Sequence, residues 1–142
     1  VLKGCHPYGE ALFNRCVYGV FDPVGYGADG KYGNEWDMTI WISDRGIESG
    51  RLKDILIHEA AHAYSYLVLR GCVVPDGSSF RELAHKRYGD EEHLADVFVL
   101  YYGGKWTNYD GRENIPIRDR SWMSNMIDYC NLYEEALATL SS

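Results

Sequence analysis

Apolar and polar positions alternate from Trp36 to Ser43 (WDMTIWIS), with Met38, Ile40 and Ile42 on one face and Asp37, Thr39, Trp41 and Ser43 on the other. A period of two predicts a strand. From about Gly50 the pattern becomes helical. The run RLKDILIHEAAHAYSYLVLR contains no Gly or Pro, has basic Arg70 in its last turn and meets Gly71 as a C-terminal cap. Ser79 to Tyr88 (SFRELAHKRY) predicts a second helix, capped by Ser78 or Ser79 and stopped by Gly89. Asp90 then caps a third, DEEHLADVFVLYYGG, which stops at Gly103 and Gly104. Arg120 to Leu140 reads as a final amphipathic helix with Trp122, Met126, Ile127, Leu132 and Leu137 as apolar positions.

Between these elements the pattern breaks. Gly25 to Asn34 (GYGADGKYGN) reads as a loop, as does the turn holding Pro75, Asp76, Gly77 and Ser78, and residues 105 to 120 are polar and irregular. Ala11 to Phe21 (ALFNRCVYGVF) fits a helix start or a strand, and its β-branched and aromatic content favours the strand. No internal repeat or low-complexity segment interrupts the chain.

A length of 142 residues suits a single domain with a core that needs no staple. The net charge of −7 and pI near 5.1 repel phosphate backbones and anionic membranes, so nucleic acid is not an expected partner. No apolar run approaches the roughly 20 residues of a membrane span, and the opening VLKGCHPYGE has no charged region leading into an apolar one. A soluble form is expected, and a start at Val1 suits either a processed mature protein or a domain excised from a longer one. Cys5, Cys16, Cys72 and Cys130 form no C-x-x-C pair, which argues against a zinc ribbon or a dithiol redox centre. Either they pack reduced as small hydrophobes or they form two disulfides. Of the three connectivities, Cys5 with Cys16 and Cys72 with Cys130 is favoured, because the first pair closes a short local loop. Disulfides in turn point to a secreted or extracytoplasmic location.

The chemistry is concentrated in the long helix, at Ile57-His58-Glu59-Ala60-Ala61-His62. Residues four apart share a helical face about one turn apart, so both imidazoles can reach one metal ion. Glu59 is rotated away from the histidines. It is poorly placed as a ligand of the same ion, but it can hold a water and remove its proton as general base. The motif's surroundings, Ile55, Leu56, Ile57, Ala60, Ala61 and Ala63, are small or apolar, as a packed active-site helix requires. Two buried histidines and a glutamate would be costly without a metal.

A catalytic zinc takes three protein ligands and keeps a fourth position open. The sequence offers Glu92, Asp96, His93 and His85 as the third. HExxH followed thirty residues later by the helix Glu91-Glu92-His93-Leu94-Ala95-Asp96 resembles the gluzincin metallopeptidases, especially the minigluzincins, over about forty residues. The resemblance implies an α+β fold class, a small zincin-like domain in which an active-site helix and a second ligand-bearing helix pack on a small sheet. It implies a metal set of His58, His62 and Glu92, with Asp96 orienting one of the two histidines. Glu92 and Asp96 stand at i and i+4, on one helical face, and a carboxylate accepting an imidazole N–H is the usual orienting contact. The two-His, one-Asp pattern of aspzincins lacks its G-T-x-D surroundings here, and residue 65 is Ser rather than the Gly that metzincins require.

These readings lead to a zinc metalloendopeptidase acting on a peptide or protein substrate, with Zn2+ as cofactor. Strand 36–43 is then either an edge that pairs with extended substrate or a core strand. Tyr101, Tyr102 or His85 can be read as an oxyanion donor or as coincidence among 12 tyrosines. So short a chain has little room for a cleft-closing domain, which leaves a place for an inhibitor or a completing segment as partner. The alternative is a non-catalytic zinc-binding module, regulatory or toxin-associated, that keeps the fold. A binding protein without metal is a third reading.

Overall fold

A computed structural model describes residues 1–107 and 114–141. Among them are six α-helices and one three-stranded sheet, an α+β arrangement. The chain divides into two units, Val1–Ala63 and Tyr64–Ser142.

The first unit contains the sheet. Strands β1 (Leu2–Lys3), β2 (Gly19–Asp22) and β3 (Thr39–Ile42) lie in the order β1-β3-β2, β3 running parallel to β1 and antiparallel to β2. The expected strand over 36–43 is therefore shorter at its start, where Met38 takes a left-handed φ of 57°. It is the central strand, so its two edges are both occupied. Among the described residues the outer strands are β1 and β2.

Helix α1 (Pro7–Phe13) replaces the first part of the strand expected over Ala11–Phe21. Local capping decides this: His6 Nδ1 accepts the Gly9 N–H at 3.2 Å, and Pro7 opens the first turn with its φ already set. Asn14 ends the helix in the left-handed region. The same imidazole, through Nε2, bonds the Asp22 carboxylate, which also accepts the N–H groups of Val24, Gly25 and Tyr26. One buried carboxylate thus fixes the end of β2, the start of the 25–34 loop and the cap of α1. Helix α2 (Asp44–Glu48) follows β3, capped by Ser43.

Helix α3 (Leu52–Leu67) buries Ile55, His58, Glu59 and Ala61. Its other face is apolar but open. Leu52, Lys53, Leu56, Ile57 and Ala60 line a shallow groove of about 440 Å³. The helix also ends earlier than Gly71, at Leu67, because the chain tightens into a 3-10 turn over Leu69–Gly71.

The second unit is helical. Helix α4 (Phe80–Tyr88) starts at Ser79, whose hydroxyl accepts the Glu82 N–H, and stops at Gly89 with φ 117°. Helix α5 (Glu91–Tyr101) starts at Asp90, whose carboxylate accepts the His93 N–H. That bond holds the Asp90 pKa below its ordinary value, so the cap persists through neutral pH and is lost on acidification. Every residue from Leu94 to Leu100 is buried, and a helix enclosed on all sides is the centre of its unit. Helix α6 (Ile117–Ser141) begins three residues before the expected Arg120 and buries Met123, Met126 and Cys130. Of the irregular stretch expected over 105–120, residues 108–113 lie outside the described residues.

Both favoured disulfides form, Cys5–Cys16 and Cys72–Cys130. They are compatible with an extracellular protein. Among the described residues no helix is long and apolar enough to cross a membrane. Cys72–Cys130 spans 58 residues and ties the chain before α4 to α6, whereas Cys5–Cys16 spans 11. Loop-closure entropy gives about 4 kcal/mol for the first and about 3 for the second. Replacing Cys72 and Cys130 together by Ser is expected to shift the urea midpoint further than replacing Cys5 and Cys16. The reverse order would mean that native contacts, not chain entropy, set their contributions.

Candidate metal centre

His58, Glu59 and His62 form a group whose ligand atoms all lie within 4.8 Å of one another. The helix produces this directly: four residues carry His62 once around α3 to stand over His58, with their rings edge to face and centroids 4.8 Å apart. The two Nε2 atoms are 3.1 Å apart. Two nitrogens bound to one tetrahedral zinc at about 2.0–2.1 Å stand roughly 3.3 Å from each other. The observed spacing therefore fits a pair of imidazoles converging on one ion. His58 is 5% and Glu59 7% exposed, while His62 is more open. Burial keeps bulk water from competing for the nitrogens and strengthens any charge interaction there.

Glu59 is held from the sheet side. A side chain begun at Gly19, the first residue of β2, would lie 2.9 Å from Ile55 Cγ2 and 3.1 Å from Glu59 Cγ. Only glycine lets the strand pass this close to α3. Gly19→Ala is expected to lower stability by about 1–3 kcal/mol through overpacking against a β-branched neighbour, read as a lower urea midpoint. An unchanged midpoint would show that β2 can lift off the helix without loss.

No family model, curated protein or solved structure matches the chain. The geometry of the site supports a His-Glu-x-x-His group able to hold a metal ion.

The remaining candidates lie on α4 and α5, in the second unit. Glu92 occupies the first turn of α5. Asp96, one turn on, is fully buried in the apolar stretch and is partnered, as a carboxylate in such surroundings must be. The two other imidazoles considered as ligands have carboxylate partners. His93 Nδ1 meets Asp90 Oδ1 at 2.7 Å, and His85 Nε2 meets Glu91 Oε1 at 2.7 Å. Tyr101, one of the candidate oxyanion donors, shares a hydrogen bond with Ser124 at 2.7 Å. Tyr102 stacks on Phe98 and is half-exposed; burial of its hydroxyl, then Tyr101, raises its pKa.

Two features were not foreseen from the sequence. His6, unassigned there, is the buried partner of Asp22, and nothing in its local spacing points to a residue sixteen positions away. Tyr64, two residues past His62, donates to Asn131 at 3.0 Å. Burial, then the acidic neighbourhood of Tyr102, Glu134 and Asp128, pushes its pKa up to about 12, so it stays a neutral donor at physiological pH.

Proposed function

We propose that the chain is a zinc-dependent metallopeptidase of the zincin type. The observation that carries the reading is the 3.1 Å approach of the His58 and His62 Nε2 atoms, with the Glu59 carboxylate in the same group. His58 and His62 hold the metal, and the gluzincin resemblance implies Glu92 as the third ligand. The same resemblance implies for Asp96 the role of a carboxylate that orients a ligand histidine. Zinc bound there supplies Lewis acidity toward the scissile carbonyl and the attacking water. Glu59 takes the proton from that water and returns it to the leaving amine, so one carboxylate serves first as base and then as acid. Glu59 is buried under the glycine of β2, which limits the rotamers it can adopt. The substrate is a peptide or protein, and the two disulfides suit a secreted enzyme.

A non-catalytic zinc module is the competing reading. Its sites are usually closed by four protein ligands, whereas the group here offers two imidazoles and one glutamate. The test is peptide hydrolysis by zinc-loaded protein beside its Glu59→Gln variant, with the metal counted in both. Zinc without hydrolysis of any peptide in a broad library would favour the module over the enzyme.

A further inference from the structure

Within the second unit, the end of α3, the cap of α5 and the second half of α6 gather a set of aromatic and acidic side chains. The Phe98 ring joins two tyrosines, standing edge to face with Tyr64 at 5.9 Å and stacked on Tyr102 at 6.4 Å with 15° between the planes. Phe98 is buried, Tyr64 is half-buried and Tyr102 is 54% exposed. Tyr64 donates to Asn131 Oδ1 at 3.0 Å, which ties the tyrosines to α6. Asp128, Asn131 and Glu134 follow one another at intervals of three along that helix, and residues so spaced are neighbours on its surface. Burial, then Tyr102, Glu134 and Asp128, pushes the Tyr64 pKa up to about 12, which puts both carboxylates near its hydroxyl. No Lys or Arg follows Arg120 in the chain, so α6 beyond its first turn contributes acidic charge alone.

The face of an aromatic ring is negative, and carboxylates beside it add potential of the same sign. A cation gains from both, an anion is repelled, and a neutral apolar group gains from the ring alone. Among cationic side chains arginine fits best. Its planar guanidinium stacks on a ring and forks its N–H groups onto carboxylate and amide oxygens, whereas lysine is a strongly hydrated point charge. The unit already contains one such pairing: Arg120 lies over Tyr101, 5.7 Å from the ring centroid, and that ring meets Tyr102 edge to face at 5.0 Å. We propose that Tyr64, Tyr102, Asp128, Asn131 and Glu134 form a surface that takes an arginine side chain of a peptide or protein partner. The guanidinium lies on the face of Tyr102 turned away from Phe98, with its N–H groups directed at the α6 carboxylates. The surface belongs wholly to the second unit and depends neither on a metal nor on the peptidase reading.

The test titrates the whole protein with the blocked tripeptide acetyl-Gly-Arg-Gly-amide and follows the ring-proton NMR signals of Tyr64 and Tyr102. Parallel titrations use the lysine peptide and the citrulline peptide, the latter keeping the shape of arginine without its charge. Saturable shifts of both rings are expected, with a dissociation constant on the order of millimolar that rises with salt. Lysine should bind more weakly than arginine, and citrulline about tenfold more weakly. Tyr102→Leu, which keeps bulk over Phe98 but removes the ring, is expected to weaken binding about 2–5-fold. The paired variant Asp128→Asn with Glu134→Gln should weaken it about 3–10-fold, and it decides the matter if Tyr102→Leu does not fold. Asp29→Asn, an exposed carboxylate in the first unit, is the control for diffuse attraction to the net charge of −7 and should bind as wild type. Unmoved Tyr64 and Tyr102 signals, citrulline or lysine binding as tightly as arginine, or wild-type affinity in the paired variant each overturns the proposal. So does a loss in Asp29→Asn as large as that in the paired variant.

Discussion

Metal analysis of His58→Ala protein is expected to find less than about a tenth of a zinc per chain where the wild type carries about one, since structural and catalytic zinc sites are built on three or four protein ligands. The imidazole is one of two nitrogens that converge within 3.1 Å. Removing it leaves His62 with no second nitrogen on its face of α3, and a single imidazole does not retain zinc through dialysis. His62→Ala is expected to behave the same way. Because zinc binds the folded chain and not the unfolded one, the wild type also gains stability from it, about 2.7 kcal/mol at a hundredfold excess over the dissociation constant. Stripping the wild type with a chelator should therefore lower its melting temperature to near that of His58→Ala, while the same chelator leaves the variant unmoved. Full zinc occupancy in His58→Ala would remove this site from consideration. A wild type that binds no zinc would leave the two histidines as a core pair joined by a hydrogen bond.

Where the chain signals its own boundaries, the elements are legible. Ser79, Gly89, Asp90 and Gly103 act through capping and through a left-handed backbone, both properties of a few consecutive residues, and α4 and α5 begin and end where those residues stand. Helix α1 depends on the same physics, but with a less familiar capping residue. His6 caps through a ring nitrogen, which is not among the usual capping side chains. The rank of β3 within its sheet is a different kind of fact. Its period of two is legible; its central place depends on β1, two residues long and 39 positions away, which has no pattern of its own. Gly71 does not set the end of α3 because it is only a permissive residue, and the chain leaves the α-helix four residues earlier, at Leu67.

The same division holds for the site. His58, Glu59 and His62 lie within five residues on one helix, so their geometry follows from helical rise and rotation alone. The apolar residues around them carried a mixed message: Ile55 and Ala61 are buried as expected, but Ala60 is exposed and Leu56 and Ile57 line an open groove. Hydrophobic character set which residues can be buried, and the sheet chose which of them are. The contacts that Ser65, Arg81 and His85 make with Glu91 were not legible, because their separations of 26, 10 and 6 residues have meaning only once three helices are placed.

The Glu59→Gln variant separates an enzyme from a protein that only binds metal. The amide matches the carboxylate in shape, so it should pack unchanged under Gly19 and leave His58 and His62 undisturbed, and zinc content is expected to stay near one per chain. What it loses is basicity. A neutral amide cannot take a proton from water at pH 7, and removing a general base typically costs about 10²–10⁴ in rate. The loss should fall on kcat and on kcat/KM alike, with KM little changed, because the proton is transferred on the way to the transition state and not on binding. Glu59→Ala should be as inactive but less stable, since it also leaves a void beneath β2. The comparison isolates the carboxylate's charge from its volume. Peptidase activity in Glu59→Gln equal to wild type would move the base elsewhere. A loss shared equally by activity and zinc content would make Glu59 part of the metal's hold rather than the group that moves the proton.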